Sequence, residues 1–150
     1  MSKVSDIKIY LSNLTGTTLS DFFKLPDTLV LEDNTNLMLE KGYAVQIGPS
    51  ENDTSSFCQG ELLISRQYVI RLTNDYVPNM DPDFREGIEL ALMESIHLLI
   101  VALQADFELG GNAIDAMPTG DSGIDYLISE DGKQEITAAL NVQVRYSENF

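Results

Sequence analysis

The stretch from Gly123 to Phe150 constrains the fold most, because it sets two strand patterns on either side of the polar segment Glu130-Asp131-Gly132-Lys133. Gly132 tolerates the positive φ that tight hairpin turns need, so the segment predicts a turn. Beyond it, Ile136, Ala138, Leu140, Val142, Val144 and Tyr146 fall on one face, while Thr137, Ala139, Asn141, Gln143 and Arg145 fall on the other. That alternation predicts a long antiparallel strand with one buried side.

The rest of the chain supplies partners for such a strand. Val4, Ile7, Tyr10, Leu11 and Leu14 recur at helical spacing, with Ser2 or Ser5 placed to cap and Gly16 near the end of the pattern. From Thr15 to Leu39 the signal is mixed and predicts no single element. Gly42-Tyr-Ala-Val-Gln-Ile-Gly48 alternates as a strand, and Pro49 to Ser56 then predicts a mobile acidic loop built from turn formers. A longer alternation runs from Gly60 to Tyr76, with Leu62, Ile64, Tyr68, Ile70 and Leu72 on one side. It pairs naturally with the preceding strand as a hairpin.

Asp81-Pro82-Asp83 reads as a helix start: Asp81 caps, Pro82 suits the first helical position, and Asp83 and Glu86 favour the positive end of the dipole. The helix runs from about Pro82 to about Phe107. Its first half carries a stripe of Phe84, Ile88, Ala91, Leu92 and Ser95, whereas Ile96 to Leu103 is apolar almost all round. A helix of that kind needs cover on more than one side, from the first helix or from another subunit. Gly110-Gly111-Asn112 stops the helix, and Pro118, Gly120 and Gly123 mark a loop to the terminal hairpin. The expected fold is a single α+β domain over residues 1–150, a mainly antiparallel sheet of two long hairpins packed on a long central helix and an N-terminal helix.

Composition narrows the function. With 24 acidic against 9 basic residues the formal net charge is −15, which opposes a DNA-binding surface, since such a surface needs Lys and Arg to replace phosphate counterions. The surplus serves solubility, or else an acidic surface that repels nucleic acid or meets a basic partner. One cysteine, Cys58, excludes an internal disulfide framework. The amino-terminal segment shows no charged stretch followed by an apolar run, and Leu98 to Leu103 is too short to span a bilayer, so a soluble, non-secreted protein is expected.

Candidate chemistry is sparse. Cys58 and His97 are the only possible thiol and imidazole pair, and no signature joins them. They are also too few for a zinc site. Neither Asp75, Asp81, Asp83 and Glu86 nor Asp121, Asp125, Glu130 and Asp131 follows the calcium-loop pattern; capping explains the first group and a solvated hairpin the second. Gly110-Gly111 follows a helix instead of opening one, unlike a phosphate loop. The expectation is a protein without catalytic residue, metal or cofactor, whose function lies in its surfaces. Glu51, Asn52, Asp53 and Thr54, in the polar segment Ser50 to Ser56, are candidate partner-binding residues at a tip that orders on contact.

The order of these segments resembles the tail terminator, or minor tail (tail completion), proteins of long-tailed bacteriophages. The resemblance rests on the amino-terminal helix, the strand Gly42 to Gly48, the polar segment Ser50 to Ser56, the strand Gln59 to Leu72 and the long helix. It also rests on the closing parts Asp125-Tyr126, Ser129-Glu-Asp-Gly132 and Val142-Gln-Val-Arg-Tyr-Ser-Glu148. It covers Ser2 to Glu148, departing at Thr15 to Leu39 and Gly110 to Gly123. It implies a non-enzymatic structural protein of the virion tail, assembled in the host cytoplasm. Its subunits form a hexameric ring that caps the head-proximal end of the tail tube and stops tube polymerisation. Its partners are copies of itself, the tail tube protein and a head completion or neck protein, with no membrane; DNA passes through unbound. Asp121, Asp125, Glu130 and Asp131 are then candidate lumen residues. The alternatives are another neck or head-tail connector component, or a small cytosolic acidic ligand-binding or enzymatic domain.

Overall fold

The computed structural model describes residues 2–25, 41–77, 80–128 and 134–150. Helix α1 (Lys3–Thr18) begins where the sequence predicts, with the Ser2 Oγ accepting the Ser5 N–H at 3.4 Å. Ile7, Leu11 and Thr15 recur at four-residue steps and are buried. Strands β1 (Phe23–Lys24), β2 (Lys41–Asp53), β3 (Glu61–Asp75), β4 (Asp115–Asp121), β5 (Asp125–Ile128) and β6 (Gln134–Asn149) form one sheet. Its order is β1-β2-β3-β6-β4, and β5 also pairs with β6. Helix α2 (Pro82–Ala105) crosses between β3 and β4. The architecture is α+β, with every pairing antiparallel except β1 with β2.

The centre of the sheet is β3 against β6, paired without interruption from Glu61↔Asn149 to Asp75↔Glu135. Their facing apolar positions supply nearly half of the core: Ile64, Tyr68, Ile70 and Leu72 from β3, and all six alternating residues from Ile136 to Tyr146 from β6. Both helices cover this face. Tyr68 donates its hydroxyl proton to the Val4 carbonyl (3.1 Å), tying α1 to the middle of the sheet. Burial pushes the Tyr68 hydroxyl well above its ordinary pKa.

Two expected loops are strand. Residues Ser50 to Asp53, read from sequence as part of a mobile tip, extend β2 and pair in register from Ser50↔Arg66 to Asp53↔Leu63. A register shift between Ile47 and Ser50 absorbs Pro49, which has no N–H to give a ladder. The real turn is confined to Thr54–Gly60, closed by a short 3-10 turn at Phe57–Gln59 with Gly60 as its left-handed cap. The expected loop from Gly110 to Gly123 contains β4, whose own shift lies between Pro118 and Gly120. The predicted terminal turn, with Glu130 and Asp131, lies outside the described residues.

Helix α2 is started as expected: the Asp81 carboxylate accepts the Asp83 N–H at 2.8 Å and Pro82 follows the cap. Its buried side is Leu92, Ile96, Leu99 and Leu103. Of the stripe read in its first half, Phe84 and Ala91 are exposed and Leu92 is buried. The helix ends at Ala105, where the Asp106 N–H reaches the Ala102 and Leu103 carbonyls. Tyr10 of α1 donates to the Asp106 carboxylate, whose other oxygen accepts the Gly110 N–H at 3.0 Å. That carboxylate raises the Tyr10 pKa, chiefly through the hydrogen bond.

Candidate functional site

Among the described residues both helices lie on one face of the sheet, and much of the opposite face is left without a covering helix. The residues of that face are the outward positions of the four long strands. Reading across the register, Gln46 stands beside Val69 and Asn141, Ala44 beside Arg71 and Ala139, and Gln67 beside Gln143 and Met117. Ser65 Oγ and Gln143 Nε2 are 2.5 Å apart, the amide donating to the hydroxyl. The face is half-buried and mostly uncharged, with polar amides and hydroxyls between small residues. Period-two alternation put these side chains opposite the core positions.

At the end of this face the row Glu51, Ser65, Arg145 and Asp115 runs across four strands. Arg145 donates through Nε to both Asp115 oxygens, at 2.9 and 3.0 Å, and through a terminal nitrogen to one of them. This fork holds the Asp115 carboxyl below its ordinary pKa and raises that of Arg145. Next to it is a shallow depression of about 210 Å³ lined by Glu51, Asn52, Asp53, Leu63, Ser65 and Arg145. Three of the four predicted partner-binding residues therefore share one site with side chains that sequence reading did not connect to them. The volume is below the range of about 300–1,000 Å³ usual for small-molecule sites, so the depression suits a contact with a surface better than an enclosed ligand.

Thr54 lies beyond the rim, in the turn. Asp53 accepts the Ser55 N–H at 3.0 Å, and this backbone hydrogen bond is the main cause holding the Asp53 carboxyl below its ordinary pKa. Asp53 thereby closes the turn as well as lining the depression. Among the lumen candidates, Asp121 ends β4 and accepts the Gly123 N–H at 2.8 Å, while Asp125 opens β5; both are exposed. They stand together at the β4–β5 connection, away from the depression by strand register: Asp121 is opposite Leu140 and Asp125 opposite Thr137.

The other candidates stay apart. Cys58 is exposed in the 3-10 turn, and His97 is exposed on the middle of α2. Among the described residues no group of three or more His, Cys, Asp or Glu side chains could hold a metal ion. Asp81 serves as a helix cap and Asp75 is buried at the end of β3.

Helix α2 presents the second surface. Its outward side carries Leu90, Leu98 and Val101, which are 64, 43 and 49% exposed, with Phe84 and Phe107 exposed near its two ends. By length and composition α2 is also apolar enough to cross a membrane, with a mean hydropathy of 1.6 in its most apolar stretch. Four of its residues nevertheless face the sheet core.

Neither known protein-family models nor curated proteins match this chain.

Proposed function

We propose that the protein is a non-enzymatic assembly subunit of the tail-terminator kind. Copies form a ring, six-membered on the family resemblance, that caps the head-proximal end of a phage tail tube, stops further tube growth and offers the surface on which the filled head docks. The observation that carries the reading is the one-sided sheet. Its open face is four strands wide and mostly uncharged; it carries two arginines, Arg71 at mid-face and Arg145 at the end, and the fork with Asp115 neutralises Arg145. Such a wall suits a channel for DNA, since phosphates find few counter-charges on it. The depression beside Glu51 and Asp53 is a polar contact point for the tube or the head completion protein.

Three measurements test this reading. Negative-stain images of the purified chain should show closed rings, and addition of the rings to polymerising tube protein should shorten the tubes. Replacing Asp121, Asp125, Glu130 and Asp131 by Lys should create salt-sensitive DNA affinity while leaving the rings intact. Tubes of unchanged length with the chain in excess would refute the capping role, and four lysines without DNA binding at low salt would leave the charge to solubility alone.

A further inference from the structure

We propose that the outer stripe of α2 docks on the same stripe of a second copy of this chain, the two helices running antiparallel about a two-fold axis. The stripe follows from spacing. Gly87, Leu90, Glu94, His97, Val101 and Gln104 succeed each other at steps of three and four, the seam of a two-helix contact, with Ala91, Leu98 and Ala105 beside them. All nine are exposed, whereas the rest of the helix between Gly87 and Ala105 is buried or half-buried. The sheet therefore claims one side of α2 and leaves the other uncovered over about 27 Å of helix, at 1.5 Å per residue.

The chemistry of the stripe reads the same from both ends, and this selects the occupant. When one helix is reversed on its copy, Leu90 meets the partner's Val101, Glu94 meets the partner's His97, and Gly87 meets the partner's Gln104. Phe84 is exposed at one end of the stripe, and Phe107 is exposed just past the other. Apolar groups meet apolar groups, the one acid of the stripe meets the one imidazole, and the smallest residue makes room for a long amide. Across such a contact the imidazole N–H donates to the Glu94 carboxylate. A parallel arrangement would set Glu94 against Glu94, which like-charge repulsion opposes, and would leave His97 without a carboxylate to meet. Antiparallel helices also oppose their dipoles favourably.

The contact is short and belongs to the transient class of interfaces. It does not depend on the ring reading. A ring is built head-to-tail from two unlike surfaces, while a two-fold contact uses one surface twice and closes at two copies. Proline and a register shift in both β2 and β4, with Glu51, Asp53, Asp115 and Asp121 on the same strands, discourage strand addition there. The helix face carries no such guard.

Cross-linking of the full chain in a Cys58→Ser background tests the register. Leu90→Cys and Val101→Cys proteins, each alone, should remain unlinked under mild oxidation, because the two copies of either position stand about 16 Å apart along the axis. Mixed, they should give a disulfide-linked pair. Glu94→Lys should abolish the concentration-dependent rise to two copies in sedimentation, whereas the exchange Glu94→His with His97→Glu should retain it. Circular dichroism confirms that these surface changes leave the fold intact. Linking of either single-cysteine protein with itself, no link in the mixture, or a single-copy species at the highest concentration would overturn the proposal. Flotation of the chain with phosphatidylcholine vesicles, lost in Leu90→Lys, would also overturn it. Closed rings without the mixed link would sink this contact and leave the ring standing, whereas linked pairs without rings would do the reverse.

Discussion

Replacing Arg66 by Met tests how the far end of the sheet is held. Arg66 projects from β3 onto the core face, where its Nε donates to the Tyr146 hydroxyl at 3.1 Å and a terminal nitrogen to the Gly48 carbonyl at 3.0 Å. The second bond fixes the β2 backbone at its register shift, so one side chain links β2, β3 and β6. Hydrogen bonds to a charged group contribute about 1.5–3 kcal/mol each. Arg66 is only half-buried, and water can reach the freed Gly48 carbonyl, so the loss should fall below the sum of two such bonds, about 2 kcal/mol in all. Tyr146 is fully buried, and its orphaned hydroxyl accounts for about half of this loss. Tyr146→Phe should therefore cost about 1 kcal/mol alone and almost nothing further when Arg66 is already Met. Urea unfolding of the two single variants and the double variant, at constant m, gives the coupling; in a thermal scan Arg66→Met should fall by about 4–8 °C. Additive costs, or a loss below about 0.5 kcal/mol for Arg66→Met, would refute the link.

Three further outcomes follow from the same geometry. Tyr68→Phe should cost about 1 kcal/mol by removing the bond to Val4. Because folding raises the Tyr68 pKa, its contribution is present below about pH 10 and is lost as pH rises toward the folded value, so the variant's stability should fall less steeply above about pH 10. Folding lowers the Asp115 pKa, so its stabilisation is present above about pH 4 and lost as pH falls through the folded value; Asp115→Asn should flatten the acid limb of a stability–pH curve. Gly110→Ala should destabilise by about 2 kcal/mol in urea, since Gly110 has φ of +65° and an added Cβ would stand 2.8 Å from Tyr10 Cε2.

Elements with a clean period were legible from sequence. The core face of β6 is the alternation from Ile136 to Tyr146, and α2 begins at the capping signal of Asp81 and Pro82. The extension of β2 was not legible because Pro49, Ser50, Asn52 and Asp53 favour turns locally, while the partner that makes them a strand, Leu63 to Arg66, is set by tertiary pairing. Strand β4 escaped for a similar reason: within Asp115–Asp121 only Ala116 is buried, so there is no alternation to read, and β6 holds the segment extended. The candidate depression was half visible. Composition drew attention to Glu51 and Asp53, but Arg145 and Asp115 join them through strand register, which no local pattern encodes.

The pairing of β3 with β6 also sets when the molecule can acquire its core. The nearest paired residues, Asp75 and Glu135, stand 60 positions apart. During synthesis the β2–β3 hairpin and α2 leave the ribosome first, with Tyr68, Ile70 and Leu72 on one side and Leu92, Ile96 and Leu99 on the other lacking the strand that lies beside β3. Closing so long a loop is slow, and topologies rich in distant contacts fold slowly as a rule. Until Gln134–Asn149 has emerged, the nascent chain holds apolar surface that other chains can capture. Chaperone demand should therefore peak late in translation, and ribosome stalling just before β6 should be more damaging than stalling anywhere earlier.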